Sequence, residues 1–153
     1  MKKTAKKTQK KTAKKRSSPP SGEGYRFLEH TADIMVSAWG PDYLAALRQA
    51  ALAMFSVLGK GKKAGEFEVE EKAGSREELV VALLSRILAE CDAREVVPLG
   101  IEMGKYDEAA QGLKARVSYS NARPRDAIKA VTFHRLEVKE EKNKCSIQVV
   151  FDV

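Results

Sequence analysis

The sequence predicts an α+β domain in which two helices pack on a mixed or antiparallel β-sheet. Three observations predict it. Two segments, Leu44–Leu58 and Leu79–Cys91, place apolar residues at helical spacing. Shorter stretches around them alternate apolar and polar residues, or are extended and apolar, as strands do. Their order is strand, strand, helix, strand, helix and then four strands, which lacks the regular βα alternation of a parallel sheet. A length of 153 residues fits one domain.

Tyr25–Leu28 reads as a short aromatic strand. From Asp33 to Trp39, Ile34, Val36 and Ala38 alternate with Met35, Ser37 and Trp39, predicting a second strand that Gly40-Pro41 stops. Pro41 suits the first helical position, and Leu44, Leu47, Ala51, Met54, Phe55 and Leu58 form the apolar face of a helix ended by Gly59 and Gly61. Phe67 and Val69 alternate with acids across Glu66–Glu70. Ser75-Arg76-Glu77-Glu78 has the capping-box spacing, in which a hydroxyl and a carboxylate satisfy free amides where a helix begins. The helix after it is apolar on most of its circumference, predicting deep packing. Val96–Met103 is extended, and Pro98 places it at an edge or a bulge. Leu113–Tyr119 alternates, and Val131–Lys139 and Cys145–Val153 form a hairpin around Glu140–Lys144.

Charge is unevenly distributed. Of 28 Lys+Arg, nine lie in residues 1–22, which hold no acid: Lys2, Lys3, Lys6, Lys7, Lys10, Lys11, Lys14, Lys15 and Arg16. The remaining 28 − 9 = 19 cations face 21 acids, so residues 23–153 carry a net −2. By average charge alone that body does not resemble a nucleic-acid-binding surface. Lysine pairs separated by Thr, Ala and Gln cannot enter a core, and Pro19-Pro20-Ser21-Gly22 breaks any helix. Residues 1–22 are therefore predicted to be a disordered basic tail and linker, and residues 23–153 the folded domain. The tail suits a salt-dependent electrostatic arm for phosphate backbones, or a solvated solubility tail.

No apolar run reaches the roughly 18 residues that a membrane helix needs, and no apolar segment follows the lysines as in a signal peptide. Cys91 and Cys145 give neither a metal spacing nor a disulfide scaffold, which points to a reducing cytoplasm, each thiol serving as a small buried hydrophobe. Neither a phosphate-cradling loop nor a nucleophile elbow is present.

Two segments are polar where packing would favour apolar residues, and a third sets a histidine on a strand face. Glu29-His30-Thr31-Ala32-Asp33 lies between two strands. Val149–Val153 ends with Asp152 beside the Val153 α-carboxylate. Two acids at one strand end repel, and Asp33 would add a third, unless a hard divalent cation joins them; a solvated terminal acid and a turn aspartate are the plainer alternative. In Lys129-Ala130-Val131-Thr132-Phe133-His134, Thr132 and His134 would share one strand face and Phe133 the other.

Together these three segments resemble the signatures of the archease family: an acid before H-T-A-D, a K-A-x-T-[YF]-H segment and a closing F-D-[IV]. The Ala50–Phe55 helix is similar too, and the resemblance covers nearly all of residues 24–153. It implies an α+β fold and a protein that is not itself an enzyme. Its implied role is to activate the RtcB-type RNA ligase, which joins 2′,3′-cyclic-phosphate or 3′-phosphate ends to 5′-hydroxyl ends in tRNA splicing, by promoting the ligase's guanylylation and turnover. It also implies a divalent cation, usually calcium with manganese or magnesium as alternatives, on Asp33, Asp152 and Val153. Glu29, His30, Lys129 and His134 fall in the neighbourhood of that site or face the partner. The competing reading is a basic-armed RNA-binding or chaperone-like module with no ligase partner.

Overall fold

The computed structural model describes residues 22–29, 32–125 and 127–153. The lysine arm, His30, Thr31 and Asp126 lie outside the described residues.

The predicted order of elements holds. Strands β1 (Gly24–Leu28) and β2 (Ile34–Gly40) precede helix α1 (Tyr43–Leu58). Strand β3 (Gly65–Lys72) and helix α2 (Arg76–Arg94) follow, then β4 (Val97–Asp107), β5 (Gly112–Ser120), β6 (Ala130–Glu141) and β7 (Lys144–Asp152). Every strand pair is antiparallel, and the strands divide into two sheets of order β1-β2-β7-β6 and β3-β5-β4. Both helices lie between the sheets: α1 packs on β1, β2 and β7 on one side and β4 on the other, and α2 touches β3 and β6. A helix walled on both sides must be apolar around most of its surface, which is why α1 carries five alanines and buries even Gln49.

Local signals explain the boundaries. The first helix is capped by Asp42, whose Oδ1 accepts the Ala45 amide at 2.9 Å, so Pro41 stands before the cap and not at the first helical position. An aspartate acceptor satisfies a free amide, whereas a proline only lacks one. Ser75 caps α2 by accepting from Glu78 N at 3.1 Å, while Glu78 Oε1 accepts from Gly74 N, one residue earlier than a standard capping box. The edge strand β4 shifts register between Pro98 and Gly100, combining both placements that Pro98 suggested. The β6–β7 hairpin is tighter than its sequence suggests, with Glu141 paired to Lys144 and Asn143 in the left-handed region at φ 61°.

The core fills the space between the sheets, with Val36 and Ala38 of β2 and Ile147, Val149 and Phe151 of β7 turned toward the helices. Met35 and Val150 pair across the opposite, outer face and are nonetheless buried. A bulge in β6 helps account for this. Between Thr132 and Glu137 the register slips, Arg135 takes φ 57°, Gln148 Nε2 donates to Arg135 O at 2.9 Å, and the His134 amide donates to Thr132 Oγ1 at 3.3 Å. Gln148 and Thr132 belong to the outer face by register, so the bulge folds over it.

Candidate functional site

Three strand ends meet at one edge of the four-stranded sheet. The central strand β7 finishes at Asp152, β2 begins at Ile34 beside it, and β6 begins at Ala130 on its other side. Ile34 pairs with Phe151 and Ala130 with Asp152, while the Lys129 amide donates to Asp152 O at 2.7 Å. Extending the β2–β7 register by one residue sets Asp33 opposite Asp152, where paired Cα atoms of antiparallel strands lie about 5 Å apart. Two residues 119 positions apart in sequence thus become neighbours through sheet pairing. Phe151 and Val150 are fully buried immediately before Asp152, anchoring the strand up to the position that carries the carboxylate.

Asp33 is half-buried; Asp152 and Val153 are exposed. Glu29 follows β1 and is exposed, Lys129 is exposed at the start of β6, and His30 lies outside the described residues. His134 sits in the β6 bulge. The face alternation expected for Thr132, Phe133 and His134 ends at Thr132, because the left-handed Arg135 breaks the pleat and leaves Phe133, His134 and Arg135 all exposed. The sequence carries no turn residue there that would announce this bulge.

Among the described residues no three His, Cys, Asp or Glu side chains converge as a ready-made cation site. The side-chain oxygens near the sheet end are the carboxylates of Asp33 and Asp152. Both are hard donors of the kind that hold calcium, magnesium or manganese, and both are accessible enough to leave room for water ligands. The residues present fit a hard divalent ion.

The cysteines are buried at 4% and 1% exposure, Cys91 in α2 and Cys145 at the start of β7. Burial pushes the Cys91 thiol up to about 12 and that of Cys145 to about 11, so neither is a thiolate nucleophile at neutral pH. Tyr43 donates to Arg76 O at 2.8 Å and joins the starts of the two helices, far from the carboxylates. The cleft of about 510 Å³ lined by Glu23, Leu44, Arg48, Ile101 and Met103 lies along the first half of α1, also away from them. No described helix is long and apolar enough to cross a membrane.

Residues 25–153 match the model of the archease protein family (MTH1598/TM1083). The chain is 35% identical over 145 residues to the protein archease of Methanosarcina acetivorans, covering 88% of this chain and 99% of that one. It is 26% identical over 144 residues to the protein archease of Danio rerio, covering 88% of each. The solution structure of Methanobacterium thermoautotrophicum protein 1598 superposes with a TM-score of 0.69 at 29% identity, covering 85% of this chain and 99% of that one. The Thermotoga maritima archease, described as a possible chaperone, shares the fold with a TM-score of 0.65 at 21% identity, covering 92% and 100%.

Proposed function

From the premise that this chain belongs to the archease family, we propose that it is a non-catalytic protein cofactor of an RtcB-type RNA ligase in the cytoplasm, promoting the ligase's guanylylation and multiple turnover in tRNA splicing. The observation that carries the reading is the convergence of Asp33 and Asp152 on adjacent strand ends, with the Lys129 amide fixed on the Asp152 carbonyl. Asp33, Asp152 and the Val153 carboxylate would hold one divalent cation, calcium first and manganese or magnesium next. The ion would supply positive charge at a rigid sheet end and offset the mutual repulsion of the acids.

The chain's own residues do the positioning. The buried Val150 and Phe151 fix the end of β7, and the Ile34–Phe151 pair brings Asp33, one residue before β2, toward that end. Glu29, Lys129 and His134 border that end and would face the partner together with His30, which lies outside the described residues. Guanylylation needs a triphosphate aligned with a nucleophile. A rigid partner surface accelerates it by helping to place the ligase's metal or by favouring the competent ligase conformation.

The test is guanylylation of a purified RtcB-type ligase with GTP under multiple turnover, with and without this protein. Stimulation by this chain, with no GTP turnover by the chain alone, supports the reading. Absence of stimulation across calcium, manganese and magnesium would leave the module without a ligase partner.

A further inference from the structure

The chain has a single tryptophan, Trp39, at the end of β2. Val36 and Ala38 of that strand face the helices, so alternation turns Trp39 to the outer face of the four-stranded sheet, opposite Gly24 of β1 and Ser146 of β7. Neither helix packs on that face, and Trp39 stands outside the hydrophobic core, yet it is only 8% exposed. Strand β1 supplies part of the cover. Gly24 leaves room for the indole, since a Cβ there would stand 2.9 Å from Trp39 Cζ2. Arg26, next on the same face of β1, holds its guanidinium 5.5 Å from the ring centroid. The indole thus leans over the edge strand of the sheet. Its Nε1 is closed to solvent and has no hydrogen-bond partner among the described residues. A buried donor left unpaired carries the full cost of its desolvation, so this atom calls for an acceptor. The chain that enters β1 is close by. Glu23 is pinned to α1, its Oε2 accepting from Gln49 Nε2 at 2.6 Å and Arg48 Nη1 at 3.1 Å. Gly22 before it takes φ 84°, a left-handed turn that glycine permits. Ser17-Ser18-Pro19-Pro20-Ser21 comes immediately before that turn, outside the described residues. Pro20 is four residues from Gly24, the cross-strand partner of Trp39, a span of at most about 14 Å.

We propose that Trp39 is an intramolecular dock for the Pro19-Pro20 linker, the proline rings packing on the indole and a linker carbonyl accepting the Nε1 hydrogen. Two consecutive prolines favour the polyproline II helix, which has no internal hydrogen bonds and leaves its carbonyls free for such a donor. That preset shape loses little entropy on docking, which is how aromatic surfaces recognise proline-rich segments. A segment tethered this close has an effective concentration that a separate partner would have to exceed. The lysines are poorer occupants, being strongly hydrated and offering no flat apolar surface. Docking gives the basic arm of residues 2–16 a fixed origin at the β1 edge. It does not depend on a ligase.

The test reads Trp39 fluorescence in the full-length chain against a full-length variant carrying Pro19→Ser and Pro20→Ser. Both substitutions lie outside the folded domain, and far-ultraviolet circular dichroism checks that its fold is kept. In the wild type, acrylamide should quench the indole weakly, and the indole N–H should exchange slowly with deuterium. The Ser variant should show severalfold stronger quenching, emission at longer wavelength and faster exchange. Replacing Lys14, Lys15 and Arg16 by Gln should leave all three readings at their wild-type values, because the prolines make the contact. Equal quenching and exchange in the wild type and the Ser variant would mean that the domain alone closes over Trp39, and would overturn the proposal. So would protection that grows with protein concentration, which would put a second copy on that face. Protection lost in the Gln variant would also overturn it, by assigning the contact to the basic residues.

Discussion

Cys91 and Cys145 show how burial sets chemistry one residue at a time. Both thiols are held above their usual value of 9.0 by desolvation, so they stay protonated in the folded chain where an unfolded chain would ionise. The sign follows: their contribution to stability is intact below pH 9 and declines as pH rises toward about 11 for Cys145 and about 12 for Cys91. At pH 8 a thiol reagent should label neither residue in the native protein and both in denaturant; rapid native labelling would contradict their packing. Gly61 makes the same point through space. Gly61→Ala pushes a methyl into Ser120 and should cost about 1–3 kcal/mol of unfolding free energy, read by urea denaturation. The alternation of Glu with Phe67 and Val69 and the Ser75 cap were legible because each depends on residues a few positions away. The Asp42 cap was obscured by Pro41 beside it, since both residue types favour a helix start.

Among the elements, β7 does most to build the candidate site. It is central in its sheet, flanked by β2 and β6, and its last two residues, Phe151 and Asp152, pair with the first residues of β2 and β6 respectively. Appending a short segment after Val153 turns the terminal carboxylate into an amide carbonyl and adds bulk there. Calorimetric calcium titration of that extended chain should show weaker binding, with the thermal transition unchanged; full-strength binding would remove Val153 from the site. The strands and the two helices were legible from periodicity, whereas their uniformly antiparallel pairing was not. The division into two sheets was not, because β3 pairs with β5 and β2 with β7 across long stretches of chain that no local pattern encodes. The β6 bulge was equally hidden: Arg135 is not a residue type that announces a left-handed backbone, so the alternating face of Thr132 and His134 was carried one step too far.

Across the whole molecule, charge is arranged by region. The nine cations of residues 1–22 lie outside the domain that matches the archease model at residues 25–153. Removing residues 1–22 should therefore leave ligase stimulation intact at physiological salt, while lowering RNA affinity measured in low salt. A truncated chain that keeps its fold and loses stimulation would place the function in the arm. The average charge of the remainder hides its distribution: acids lie on β3 and α2, and cations lie in the two loops after α1 and β5. The candidate carboxylates were legible as residues, since Asp33 and Asp152 lie in polar segments next to apolar strands. Their adjacency came from the sheet.

The most direct test of the account is the rate of ligase guanylylation with wild-type chain, Asp33→Ala and Asp152→Ala, each with its thermal transition measured alongside. The account predicts that both variants fold with an unchanged transition and stimulate the ligase roughly tenfold or more weakly than wild type, as loss of a metal-holding carboxylate would cause. Wild-type stimulation by both variants would return Asp33 and Asp152 to ordinary surface acids and remove the sheet end from the mechanism.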